Sequence, residues 1–402
     1  MSGEKRLWLR ETPDDGTPDP QPLEPKLREP QPREPQAFHR TIPGYRVTDL
    51  IELPALAAEL GVASVRVKDE SDRFGLPAFK ALGASWAVDR AISARLGLAP
   101  AGTFTELCER TRGLDLRLVT ASDGNHGRAL ARIAALLGVR ARVVVPAGLP
   151  RSTLDAIRGE GAEVIDSGLV YDRAVELAAN GCGDNDLLVQ DTAWPGYEDV
   201  PGWIVEGYST LFAEVEQQLG RSASLMLVPT GVGSLLQSAV EQQRRHGAEA
   251  RVLAVEPVTA ACVCASLRAG EPVSVDTSQP TVMAGLNCGT VSSLAWPVLE
   301  SGLDAAVTVT DAEALAAMDE LHGQGIDVGP CGAASLAGLR AALTELGGAG
   351  EAGGAGALGL DADSHIVLLS TESAAANEVS ARERPVRAEC PDPTTGRTAG
   401  SS

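Results

Sequence analysis

Nine short apolar runs alternating with helical patterns constrain this chain more than any other feature. SVRVKDE, RLVTAS, ARVVVPA, AEVIDS, DLLVQD, SLMLVPT, RVLAVEP, AAVTVTD and HIVLLST have the length and β-branched content of buried strands. Between them lie ASWAVDRAISARLG, GRALARIAALLG, LDAIRGEG, DRAVELAANG, WIVEGYSTLFAEVEQQLG, GSLLQSAVEQQRRHG and DAEALAAMDELHGQG, whose apolar residues recur with helical period, and a further helix is expected over 333–346. Repeated alternation of strand and helix implies an α/β fold with mostly parallel sheets flanked by helices. In such folds ligands bind beyond the carboxyl ends of strands, so the loops that follow strands are the place to look for chemistry. The length of 402 residues allows two packed domains, and an apolar content of 44% supplies their cores. Only 3% of residues are aromatic, so those cores must be built from Ala, Val and Leu.

The formal charge of −20 argues against nucleic acid, whose phosphates need Lys and Arg to neutralise them, and against anionic membrane surfaces. No apolar run reaches the length of a spanning helix, and MSGEKRLWLRETPDD lacks the apolar core of a secretion signal, so a cytoplasmic protein is expected. Seven Cys residues are scattered without CxxC spacing, which indicates neither a disulfide framework nor a metal site. Residues 1–37, rich in Pro-Glu and Pro-Arg steps, and residues 384–402 read as disordered tails. GGAGEAGGAGALG, near residue 350, reads as a flexible loop.

Three loops carry candidate chemistry. Lys80 opens a helical run behind Pro77; the positive end of a helix disfavours an ammonium and would help a lysine act as a neutral nucleophile. Ser122-Asp123-Gly124-Asn125-His126-Gly127 follows the strand RLVTA, with glycines that admit a ligand to the backbone and a carboxamide able to donate and accept. A tight polar turn is the plain alternative there. Thr230-Gly231-Val232-Gly233-Ser234 links the strand SLMLVP to a helix, the arrangement in which backbone N–H groups bind phosphate. It has neither the Gly-Lys-Ser/Thr of a nucleotide loop nor a full GxGxxG.

Taken in order with the terminal strand HIVLLSTES, these loops resemble those of the tryptophan-synthase-β-like pyridoxal-phosphate enzymes. The pattern is most similar to the diaminopropionate ammonia-lyases, through KDESDRFGLPAFKALGAS, ASDGNHGRALA, QDTAWPGYEDVPGWIVEGY, MAGLNCG and the Phe38-His39 pair, over about residues 38–376. The resemblance implies pyridoxal 5′-phosphate held as a Schiff base by Lys80. Asn125 would touch the ring's 3′-oxygen, Ser370 would face the ring nitrogen, and Thr230, Gly231, Val232, Gly233 and Ser234 would cradle the phosphate. It further implies α,β-elimination of 2,3-diaminopropionate to pyruvate and ammonia by a homodimer, with serine, threonine or another β-substituted amino acid as the alternative substrate.

Lys80 and Asp123 are then the candidate bases for opposite faces of the α-carbon. Asp191 is the partner for a β-ammonium, or else a helix cap, and His126 is a proton relay or a structural hydrogen bond. The implied organisation is a larger, discontinuous cofactor domain over 38–94 and 201–383 with a smaller domain over 95–200. Two departures stand out. Gly329-Pro330-Cys331-Gly332-Ala333 replaces a Gly-Glu-Ser-Gly-Ala turn, removing a carboxylate at Pro330, and Ser373 stands where a Gly is usual.

Overall fold

The computed structural model describes residues 6–10, 34–245, 250–347 and 354–376. Its strands are β1 (Leu7–Leu9), β2 (Leu50–Glu52), β3 (Ser64–Asp69), β4 (Arg117–Ala121), β5 (Arg140–Val145), β6 (Glu163–Asp166), β7 (Asp186–Leu188), β8 (Leu225–Pro229), β9 (Arg251–Pro257), β10 (Ala305–Val309) and β11 (His365–Ser370). They form two sheets. One is seven-stranded, in the order β1-β10-β9-β8-β11-β3-β2, and the other four-stranded, in the order β6-β5-β4-β7. Only the outer strands β1 and β2 pair antiparallel, so the fold is α/β with mostly parallel sheets, as the alternation implies.

The apolar runs work because both faces of the larger sheet are covered. Leu225, Leu227, Leu253, Val255, Ile366 and Leu368 point into one core, which holds Leu315 and Met318 of the helix Asp311–Gly323 and Leu336 and Leu339 of the helix Pro330–Glu345. Their strand neighbours Met226, Val228, Val252, Ala254, Val367 and Leu369 point into the other. That second core contains Leu82 and Trp86 of the helix Ala81–Arg95 and Ile204, Tyr208 and Leu211 of the helix Asp199–Leu219. It continues through Leu118, Ile133 and Val143 into the four-stranded unit. The period-two side-chain alternation of a strand sorts each run between the two cores.

All nine expected strands form; β1 and β2, at three residues each, are too short to show a pattern. The first of these corrects the expectation of a tail over 1–37. Leu7 and Leu9 pack against one core and Trp8 against the other, and Arg6 grips Glu313 at 2.6 Å, so β1 closes the edge of β10. Pro35–His39, also inside that span, is a helix with its Pro in the first turn. Part of the Gly-rich patch near 350 is likewise ordered, as the helical turn Gly354–Ala357. Residues 384–402 lie outside the described residues.

The segment leading to Lys80 is anchored by a buried ionic network. Arg73 donates to Glu70 at 2.5–2.8 Å and to Glu214 at 2.8–2.9 Å, and Lys68 donates to Glu214 at 2.8 Å, with these side chains at most 1% exposed. Thr48 and Gln218 complete the set. Removing one member strands the others, which is the costly way to disturb a buried charge. Arg73→Met is therefore expected to lower stability by about 3–5 kcal/mol, read as a shift of the denaturant midpoint by tryptophan fluorescence.

Phe38 and His39 are core residues. His39 bonds Thr210 through Nδ1 at 2.8 Å and the Leu82 carbonyl through Nε2 at 3.0 Å. Burial, with Arg73 nearby, pushes the imidazole down to about 3. The unfolded chain, with an ordinary imidazole near 6.5, binds more protons between those values, so this contribution to stability is complete above about pH 6.5 and is lost as pH falls toward 3. Relative to His39→Gln, the parent should lose stability across that window, measured by denaturation at stepped pH.

Candidate active site

The parallel register of the larger sheet places three chain segments side by side. Ser370, the last residue of β11, pairs with Asp69 at the end of β3, and the Glu70 N–H donates to the Ser370 carbonyl at 2.9 Å. On the other side β11 pairs with β8, whose end leads into 230–234. The loop after β3 carries Lys80 to the start of the helix Ala81–Arg95. From the four-stranded unit, β4 leads to Asp123 and Asn125, and the chain after β7 leads to Asp191.

Lys80 and Asp191 meet at 2.9 Å. Burial pushes the Lys80 ammonium down, but the charges of Asp191 and Asp123 and the neighbouring Tyr208 more than offset it, and the net direction is upward. This corrects the sequence expectation of a lysine made neutral by a helix end: an ion pair at contact distance outweighs the helix dipole. Burial pushes the Asp191 carboxyl up, yet the Lys80 ammonium at contact distance holds it at about 2. Asp191 is therefore no helix cap. Its other oxygen accepts from Gln190 Nε2 at 3.3 Å, and its backbone carbonyl accepts from Ser234 Oγ at 3.4 Å, which ties it to the loop 230–234.

His126 donates from Nε2 to the Val189 carbonyl at 2.8 Å. That bond assigns the ring proton to Nε2 and leaves Nδ1, buried and without a hydrogen bond, 3.9 Å from Asp191 Oδ2. Burial keeps the imidazole neutral against the pull of Asp191, with Lys80 acting in the same sense as burial. Asp123 has an exposed surface, but the surrounding protein and Asp191 raise its carboxyl against the opposing charge of Lys80. Asn125 donates from Nδ2 to Glu372 Oε2 at 2.8 Å.

Sequence reasoning passed over Glu372, Gln190 and Tyr208. Glu372 lies inside the quoted STES, and Gln190 and Tyr208 are the first and last residues of the quoted QDTAWPGYEDVPGWIVEGY, so membership of these motifs was the available signal. An apolar recess between the helix Tyr171–Asn180 and the four-stranded sheet, lined by Val119, Val144, Ile165 and Ala178, includes none of these side chains. Among the described residues no helix is long and apolar enough to cross a membrane, and no group of three His, Cys, Asp or Glu could hold a metal ion.

Residues 41–352 match the family model described as pyridoxal-phosphate dependent enzyme. The chain belongs to that family. The diaminopropionate ammonia-lyase of Salmonella typhimurium is 36% identical over 359 residues, 84% of this chain and 87% of the relative. The fold is similar to that of holo diaminopropionate ammonia-lyase from Escherichia coli, with a TM-score of 0.77 and 32% identity over 85% of this chain and 88% of that one. It is also similar to the same Escherichia coli enzyme in complex with an aminoacrylate–PLP azomethine reaction intermediate, with a TM-score of 0.75, 31% identity and the same coverage.

The residues present fit the cofactor of this pyridoxal-phosphate-dependent family. The Ser370 hydroxyl is fully buried without a hydrogen-bond partner, as a donor reserved for a ring nitrogen would be. The Thr230 N–H donates to the Val255 carbonyl at 2.8 Å, so the loop offers the backbone N–H groups of 231–234, at the end of a helix where N–H groups lack an internal carbonyl. Its glycines are required by space and conformation. A Cβ on Gly231 would lie 2.9 Å from Cys288 Sγ, and Gly233 has φ +99° with a Cβ position 3.2 Å from Ala295. Gly233→Val is therefore expected to weaken cofactor binding by about tenfold or more, through a strained backbone and a displaced loop. Titration of the apo-protein with pyridoxal phosphate, followed by absorbance, checks this.

Proposed function

We propose that the protein eliminates the β-amine of 2,3-diaminopropionate, releasing ammonia and leaving a product that hydrolyses to pyruvate and a second ammonia. The observation that carries this reading is the Lys80–Asp191 pair: Asp191 is held ionised at about 2 and already binds an ammonium. A β-ammonium has the same charge and donors, so it can take that place when Lys80 turns to its catalytic task. A serine or threonine hydroxyl would leave the buried carboxylate uncompensated.

In this reading Lys80 holds the cofactor, which when bound withdraws electrons from the α-carbon. Thr230, Gly231, Val232, Gly233 and Ser234 hold its phosphate, Ser370 faces its ring nitrogen, and Asn125 faces its ring oxygen. Lys80, once free, removes the α-proton from one face. Asp123, exposed to the cleft and raised toward neutrality, does so from the other. His126, neutral with its Nδ1 lone pair beside Asp191, accepts a hydrogen bond from the β-ammonium and orients it; the group already carries three protons and leaves as ammonia without a further one. A homodimer in the cytoplasm is part of the same proposal, supported by the resemblance of the sequence.

Release of pyruvate and ammonia from D- and L-diaminopropionate, serine and threonine, assayed in parallel, tests the substrate. Turnover of serine or threonine without diaminopropionate would overturn it in favour of a dehydratase. Asp123→Asn should lower turnover of D-diaminopropionate by about 10²–10⁴ while sparing the L-form and the cofactor spectrum. Lys80→Ala should abolish both activities together with borohydride labelling at that position. Equal losses on the two enantiomers in Asp123→Asn would mean that Asp123 shapes the site without choosing a face.

A further inference from the structure

Glu372 is a buried carboxylate to which the reaction assigns no part. It is 2% exposed and makes no ion pair among the described residues. Oε2 accepts from Asn125 Nδ2 at 2.8 Å, Oε1 accepts from the Cys331 N–H at 3.3 Å, and the Cys331 side chain lies against it. Asn125 begins the helix Asn125–Leu137 of the four-stranded unit, whereas Glu372 follows β11 of the larger sheet, so the bond crosses between the two. Cys331 belongs to the turn that lacks a carboxylate at Pro330, and Glu372 brings one to that same turn from the neighbouring strand.

We propose that Glu372 is a positioning residue that fixes which end of the Asn125 carboxamide faces the cofactor; this rests on the placing of Lys80 and Asn125 proposed above. A carboxamide can rotate to exchange its oxygen and nitrogen, and little in its shape resists this. Burial raises the Glu372 carboxyl while the hydrogen bonds from Cys331 and Asn125 favour its charged form; in that form it only accepts, so it can face nothing but the nitrogen. With one Nδ2 hydrogen held by Glu372, the second is left for another acceptor, and an ionised ring oxygen is one. The amide then bridges two acceptors, and the ring oxygen keeps a donor that stabilises its ionised form. Burial of a carboxylate without a cation is costly, and two hydrogen bonds offset only part of that. A purely structural Glu372, capping the helix Pro330–Glu345, would contribute to stability alone.

The test compares the parent, Glu372→Ala, Glu372→Gln, Asn125→Ala and the Glu372→Ala/Asn125→Ala double variant. Apo-proteins are titrated with pyridoxal phosphate and followed by visible absorbance, and the melting temperature of each apo-form is recorded. Glu372→Ala is expected to weaken cofactor binding about tenfold and to move absorbance away from the parent's visible band. Glu372→Gln, which keeps an acceptor oxygen, should stay within about threefold of the parent. In the Asn125→Ala background, loss of Glu372 should cost less than about twofold more, because the two act through one bond.

Parent-like affinity and spectrum in Glu372→Ala would overturn the inference, and so would independent, multiplying effects of the two alanines. A fall in apo melting temperature with no change in affinity or spectrum would make Glu372 a helix cap. Should Glu372→Ala fail to fold, a Glu372→Gln variant with a parent-like melting temperature but cofactor binding weakened tenfold or more would overturn it. A parent that takes up no cofactor at Lys80 would instead remove the reading on which the inference rests.

Discussion

The hydrogen-bonded ladder between β11 and its two parallel neighbours holds the candidate site together. Because β3, β11 and β8 run the same way in register, their carboxyl ends emerge at one edge. The loop to Lys80, the Ser370 hydroxyl and the glycines at 231 and 233 thereby leave the sheet at the same end, although Lys80, Gly231 and Ser370 are successively 151 and 139 residues apart in sequence. Burial on both faces, by two cores of Ala, Val and Leu, fixes that register. A slip of one residue would turn every strand side chain into the wrong core.

The electrostatics then follow from what the second unit brings to this edge. Asp191 touches Lys80, Gln190 and, by its backbone, Ser234, and stands 3.9 Å from His126 Nδ1. One residue thus stands beside the lysine, the loop 230–234 and the imidazole, the loop through its backbone carbonyl. The ionic network of Lys68, Glu70, Arg73 and Glu214 lies behind, where it stiffens the approach to Lys80 without facing the cleft. Two polar atoms at the site, His126 Nδ1 and Ser370 Oγ, are left without a hydrogen-bond partner, while the charges of the network are paired with one another.

Much of this was legible in the chain. The nine expected strands and the principal helices follow from apolar runs and periodicity, because a buried strand and an amphipathic helix leave distinct local patterns. Lys80, Asn125, the loop 230–234 and Ser370 were candidates for a different reason: each stands in a short motif at the end of a strand or in the loop that follows one, where α/β folds keep their ligands. The edge strand Leu7–Leu9 was not, since three apolar residues between charged ones carry no period; only the open edge of β10 and the ion pair from Arg6 to Glu313 give them a place.

What the sequence determined is the kind of fold, the order of its elements and the loops that hold the chemistry, since all three are written in local spacing. The tertiary structure alone decided who meets whom. It set Asp191 against Lys80, so that the lysine is charged where its position at a helix end suggested a neutral amine. It brought Glu372 across to Asn125 and the Cys331 turn, a pairing separated by 247 residues of chain. Contact energies of this kind depend on distances and burial that local sequence does not encode, because they arise only when residues distant in sequence are packed together.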